Sequence, residues 1–317
     1  MLGGTTLGSW NRNILLPTQD MKPLKIIIPI PNQDFDPSEV ALPWQIIRAA
    51  GHAVEFATPN GERAYADPIM LSGEGLDPWG WIPGLKKIRM IGLFLRADRY
   101  ARRAYALMQQ DPAFLHPKRY DALRVEDYDG LVLPGGHAQH VKTYLENTTL
   151  QGFVADFFNT EDSAGQHKPI AAVCHGVVLA ARAISKTTGK SVLYGRKTTA
   201  LTWSLENSAW SLTKYFARFW EPDYYRTYRE TKTEPVGYWG VEQEIRRALA
   251  SADDFLDVPD NAEHHFLKSS GMVRDRINDS RAAWVVRDGN YLSARWPGDV
   301  HTWAQKFVAM LDERHGT

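Results

Sequence analysis

One cysteine occurs in this chain of 317 residues, and it stands where chemistry is expected. Cys174 ends an apolar run (PIAAVC), precedes an alanine-rich one (VVLAARAI), and is followed by His175 and Gly176. A thiol on a strand-to-helix turn stands clear of its sheet and points into the crevice at the strands' C-terminal ends, where ligands of open α/β sheets bind. A helix N-terminus stabilises a thiolate and lowers the thiol pKa, so Cys174 is expected to be a nucleophile and the chain's oxidation hot spot. The competing reading is a buried structural cysteine. The adjoining histidine and the elbow context outweigh it, and Gly176 relieves crowding in so tight a turn.

Around that thiol a small set of groups is expected. Gly135 and Gly136 follow the apolar run Gly130–Leu133, with His137 beside them, and their backbone N–H groups joined by that of His175 suit an oxyanion hole. Glu39 follows the first apolar run, where a carboxyl group next to sulfur can hydrogen-bond it or shuttle protons. By position alone Glu39 ranks little above Asp34, Asp36 and Glu55. Glu206 is placed to orient His175 as a third member, against the reading of a solvated carboxylate. His137 and His140 lack a strict metal spacing, and the adjacent His264 and His265 cannot easily converge on one ion, so no metal and no cofactor is expected. The basic run RADRYARRAY reads as a solvated helix face rather than a phosphate site.

The elements that must position these groups follow from periodicity. Residues 25–30 (KIIIPI) read as a doubly buried strand, VALPWQIIRAAG as a helix stopped by Gly51, and HAVEFATPNG as a second strand, which together make a right-handed βαβ unit. The stretch YLENTTLQGFVADFFNT reads as a helix, KPIAAVCHGVVLAARAI as strand, turn and helix, and SVLYGRKTTAL as a strand or hairpin. VEQEIRRALA predicts a helix, AAWVVRDGNYLSARWP a hairpin turning at Asp288 and Gly289, and HTWAQKFVAMLDE an amphipathic helix. The expected architecture is one doubly wound, mostly parallel α/β domain over residues 24–317, a flavodoxin-like three-layer sandwich with insertions at about 62–126 and 203–280. Residues 1–23 read as a flexible leader, with Met21 an alternative start.

Lys+Arg and Asp+Glu are both 37, and this balance argues against nucleic acid or an anionic membrane as the main partner. No apolar run approaches the roughly 18 residues of a membrane span. A single cysteine excludes an intramolecular disulfide and a multi-cysteine zinc site, which points to a reducing compartment, the cytoplasm by default. The aromatic residues (11 Trp, 13 Tyr, 12 Phe) crowd between Trp203 and Trp239, as suits a lid over the crevice or a homodimer interface more than a chaperone patch.

Taken together, Glu39 with Pro43 (EVALP), PGGH at 134–137, AVCHG, GRKTTAL and DGNYLSARWPGDVHTWAQKF resemble the ThiJ/PfpI family of the class I glutamine-amidotransferase-like superfamily. The resemblance covers residues 24 to about 200 and about 281 to 313. It leans to the larger heat-shock chaperone and glyoxalase III branch, which carries a cap-like insertion; residues 200–230 depart from that branch's pattern. It implies Cys174 as nucleophile, His175 as its neighbour, Glu39 as proton carrier and PGGH as oxyanion loop. The activities implied are cofactor-free conversion of a 2-oxoaldehyde to a hydroxy acid, or deglycation. Alternatives are amidase, peptidase or isonitrile hydratase chemistry through Cys174 and His175, on a small carbonyl or amide substrate, and a holding chaperone.

Overall fold

The computed structural model describes residues 23–315; residues 1–22 of the expected leader, Met21 among them, lie outside it. Strand β1 (Lys25–Pro29) is buried on both faces, Ile26 and Ile28 entering one core and Ile27 the other. After β2 (Gln33–Phe35), helix α1 (Pro37–Ala49) begins where Asp36 accepts hydrogen bonds from the amides of Ser38 and Glu39, with Pro37 at its first position. Next come β3 (Ala53–Thr58), β4 (Tyr65–Ala66), α2 (Pro68–Ser72), α3 (Ile91–Leu95), α4 (Arg99–Met108), α5 (Pro112–Leu115) and β5 (Lys118–Arg119). The central segment holds β6 (Gly130–Leu133), α6 (Lys142–Leu145), α7 (Thr148–Asn159), β7 (Ile170–Val173) and α8 (His175–Arg182). The last third holds α9 (Trp203–Phe216), α10 (Val241–Ala248), α11 (His265–Ser269), β8 (Val285–Asp288), β9 (Tyr291–Ala294) and α12 (Val300–His315).

Seven strands form one sheet in the order β5-β3-β1-β6-β7-β9-β8, parallel throughout except that β8 runs against β9. The five inner parallel strands follow the flavodoxin-like order, and the C-terminal ends of β1, β6 and β7 converge where ligands of this architecture bind. Residues of α1, α4 and α12 make one core against the sheet, and residues of α7, α8 and α10 make the other. The stretch 62–126 is partly absorbed into this frame, lending β5 to the sheet edge and α4 to the layer of α1. Among the described residues no helix is long and apolar enough to cross a membrane.

Three local readings change. The helix expected over residues 144–160 divides into α6 and α7, because Asn147 caps the amide of Leu150 and starts a new helix. The stretch SVLYGRKTTAL forms turns with isolated bridges at Ser191 and Thr198 and no strand. Strand β9 already has β7 on one side and β8 on the other, so the amides of Lys197 and Thr199 bond instead to side chains, Asp288 Oδ2 and Ser293 Oγ. The hairpin turns one residue later than expected, on Gly289 and Asn290, with Gly289 at φ +59°.

Candidate active site

At the end of β7 the chain turns through Cys174 at φ +54°, ψ −124°, a conformation a non-glycine residue holds only at a cost. The surroundings leave little choice: the Cys174 amide donates to Ala294 O of β9 at 3.2 Å, and its carbonyl accepts from Val177 N of α8 at 3.2 Å. Two glycines make the turn possible. A Cβ on Gly176 would lie 2.0 Å from Leu133 O, and one on Gly135 would lie 2.7 Å from the His175 amide nitrogen. The elbow and the PGG loop are thus pressed backbone to backbone.

Glu39, in the first turn of α1, is fully buried with Oε2 accepting from Gly135 N at 2.8 Å and the Cys174 thiol as its other neighbour. Burial, seconded by the charge of Asp36, holds its carboxyl well above the usual range, although Gly135, Cys174 and the more distant Arg274 pull the other way. Burial and the adjacent Glu39 also push the Cys174 thiol up. This corrects the expectation of a depressed thiol pKa: at 6% exposure, desolvation outweighs the helix N-terminus. Gly135, too, has a different part from that expected, since its N–H is committed to Glu39, while the His175 amide donates to the Cys174 sulfur.

The state of His175 follows from its partners. Its Nδ1 lies 3.4 Å from Cys174 Sγ and its Nε2 lies 3.0 Å from Thr227 Oγ1. The Thr227 hydroxyl donates its one hydrogen to His137 O at 2.7 Å, so it can only accept from Nε2–H. Nδ1 therefore carries the lone pair and faces the thiol as an acceptor. Burial lowers the His175 pKa to about 3, which keeps the ring neutral.

Thr227 belongs to the aromatic stretch, which lies over the elbow. The ring of Tyr225 stacks on His137 at 4.4 Å between centroids, and Tyr224 meets His137 edge-on at 4.8 Å while donating to Asp67 Oδ2 at 2.6 Å. Arg226, between Tyr225 and Thr227 in the chain, is buried beside the rings of Trp203 and Trp210, paired with Glu206 at 3.4 Å and with Glu230. Glu206 is therefore not the residue that orients His175. Helix α9 turns it to Arg226 and to Val241 N, which donates to it at 2.9 Å, and the orienting position is taken by Thr227. The His137 ring packs against Tyr224 and Tyr225, whereas His140 pairs with Asp34 at 2.5 Å on the surface. Among the described residues no three His, Cys, Asp or Glu side chains are grouped to hold a metal ion. A surface cleft of about 590 Å³ lies well away from this chemistry, lined in part by Arg124, Thr149 and Lys186.

Residue typing missed Thr227, Tyr224, Tyr225 and Asp67. The crowding of aromatic residues marked the segment, but no spacing links Thr227 to a histidine 52 positions earlier.

The chain is similar to known proteins in sequence and in fold. The chain is 26% identical over 162 residues to an uncharacterised protein of Schizosaccharomyces pombe, covering 50% of this chain and 55% of that one. It is 40% identical over 47 residues to a deglycase of Thermococcus kodakarensis, covering 14% of this chain and 28% of the relative. The chain thus spans about half the length of the first relative and about a quarter of the second. Its fold is like that of glyoxalase III from Candida albicans (TM-score 0.53, 15% identity, 90% of this chain and 97% of that one). A sequence model described as ThiJ/PfpI family-like matches residues 30–235, which hold Glu39, the PGG loop, the Cys174 elbow and Thr227. By that match over most of its length, the chain belongs to the ThiJ/PfpI-like family.

Proposed function

We propose that this protein is a cysteine-dependent, cofactor-free enzyme acting on a small carbonyl compound, converting a 2-oxoaldehyde to a 2-hydroxy acid in the manner of glyoxalase III, or removing such adducts as a deglycase. The observation that carries this reading is the buried Glu39 carboxyl, anchored by Gly135 N and set beside the Cys174 thiol. A carboxyl group kept protonated in a dry site is suited to moving a proton between neighbouring carbons. The sulfur of Cys174 adds to the aldehyde carbon, its proton passing to His175 Nδ1, and the amides of Gly136 and His175 steady the oxygen that gains charge. Glu39 gives its proton to that oxygen, and the carboxylate so formed takes the proton from the former aldehyde carbon and delivers it to the neighbouring carbonyl carbon. His175 passes the thiol proton to the oxygen of that second carbon, and Glu39 recovers its own proton from the first oxygen as the carbonyl re-forms. The first carbon becomes a thioester while the second becomes an alcohol, so oxidation and reduction cancel within the substrate. Water cleaves the thioester, releasing the hydroxy acid and the thiol. Glu39 Oε1 and His137 Nε2 are buried without hydrogen-bond partners, which suits a small polar ligand.

A second reading, amide or acyl transfer, is favoured by one observation: His175 is neutral and presents Nδ1 to the thiol at 3.4 Å. A second copy of the chain is part of the proposal, because the two atypical stretches expose apolar side chains such as Trp81, Phe94, Phe216 and Phe219. The test is turnover of methylglyoxal to lactate by the purified chain. Cys174→Ala should abolish it and Glu39→Gln should reduce it severely. Turnover that survives Cys174→Ala removes the sulfur from the mechanism, and full activity in Glu39→Gln removes the proton transfer. Hydrolysis of amides without dicarbonyl turnover selects the second reading.

A further inference from the structure

The two atypical stretches meet at a cleft of about 380 Å³ lined by Asp98, Arg99 and Tyr100 from one and residues 272–276 from the other. Its charges do not balance internally. The carboxylate of Asp98 is spent capping α4 through Ala101 N at 2.8 Å. That of Asp275 is spent on the first turn of α12, taking His301 N at 3.2 Å and Thr302 N at 2.6 Å, with His301 Nδ1 at 3.3 Å. Against them stand Arg99, Arg274 and Arg276; among the described residues none of the three is within ion-pair distance of a carboxylate, while the charge of Asp98 acts on Arg99 and that of Asp279 on Arg276. Arg99 donates to Tyr100 OH at 2.8 Å. Arg274 is half-buried, its guanidinium 5.7 Å from the Trp296 ring and Nη2 a long 3.4 Å from Arg96 O. Arg99, exposed on the basic run of the first stretch, joins two arginines from a distant segment around one concavity. The positive charge of Arg274 also acts on Glu39 and on Tyr225.

We propose that this cleft binds the oxyanion group, phosphoryl or carboxylate, of a small ligand, with Arg274 as its anchor and Arg99 and Arg276 at its rim. A guanidinium fork pairs with two oxygens of such a group, a geometry that lysine does not offer. The inference extends the proposed function by naming the substrate class: a carbonyl compound that carries a phosphate or carboxylate. Only that extension rests on the proposed function; the anion site does not.

Calorimetric titration of the full chain with inorganic phosphate and, separately, with lactate tests it, chloride being varied to keep ionic strength constant. Saturable binding of at least one is expected, weakened about tenfold or more in Arg274→Met and in Arg276→Met, with melting temperatures checked for each. Binding of phosphate alone selects the phosphoryl group, and binding of lactate alone the carboxylate. Heats no greater than those of chloride, or variants that bind as tightly as the parent, overturn the proposal. Anion binding through Arg274 without dicarbonyl turnover leaves the site standing and removes the proposed function. Turnover with equal kcat/KM in the parent and Arg274→Met, and no anion binding, does the reverse.

Discussion

Replacing Thr227 by valine removes one hydroxyl and keeps the shape of the side chain. That hydroxyl accepts from His175 Nε2 at 3.0 Å and donates to His137 O at 2.7 Å. His175 is only 3% exposed, so without Thr227 its Nε2–H is left in a dry site with no acceptor. An unpaired buried donor costs about 1–3 kcal/mol. The ring avoids the cost by moving its proton to Nδ1, which then faces Cys174 as a donor and cannot take the thiol proton. Keeping the productive tautomer costs the same amount, and at about 1.4 kcal/mol for each factor of ten the reaction slows about 5- to 150-fold. The fall should lie in kcat on methylglyoxal with KM little changed, and the same slowing should appear in alkylation of Cys174 by iodoacetamide. Thr227→Ser restores the hydroxyl and should recover most of the rate. A Thr227→Val protein as fast as the parent refutes the tautomer argument; a serine variant as impaired as the valine one refutes the role of the hydroxyl.

Three further outcomes follow from the same geometry. Burial pushes the Glu206 carboxyl up to about 7, so the folded state binds this proton more tightly than the unfolded chain; its stabilising contribution is complete below the unfolded value and is lost as pH rises through about 7. Glu206→Gln should match the parent in urea unfolding at pH 4 and exceed it at pH 8 by about 3 kcal/mol, and a parent that gains stability relative to the variant over that range contradicts the assignment. A Cβ at Gly176 meets the Leu133 and Pro134 carbonyls at 2.0 and 2.7 Å, whereas one at Gly152 in α7 meets nothing within 4 Å. Thermal melts should show Gly176→Ala destabilised by about 1–3 kcal/mol or more and Gly152→Ala stabilised by about 0.5–1 kcal/mol; equal melting temperatures would discount the crowding at the elbow. Under mild peroxide, peptide mapping should find sulfoxide at Met272 (73% exposed) and Met90 (62%) before any oxygen reaches Cys174 (6%), the reverse of what the elbow motif suggests, and earlier oxidation of Cys174 would mean that the crevice stands open.

Those outcomes separate what was legible in the chain from what was not. The elbow is a local object: an apolar strand, a residue at positive φ, and a glycine that alone fits against Leu133 O can be recognised from residue types in order. Glu39 is less local, since typing alone scarcely separates it from Asp36; the family's EVALP pattern raises it, and the Gly135 amide then shows why that carboxyl is the one held in place. Protonation states are not local at all. The thiol is raised rather than lowered because burial and the neighbouring Glu39 outweigh the helix dipole, and Glu39 and Thr227, which contacts His175, come from far along the chain. Glu206 misled for a related reason: its distance along the chain suited a partner for His175, yet α9 turns it to Arg226. The contacts of Thr227 carry one further consequence. The segment that packs on His137 also supplies the acceptor that sets the tautomer of His175. A lid that lifts to admit substrate would release His175 from Thr227.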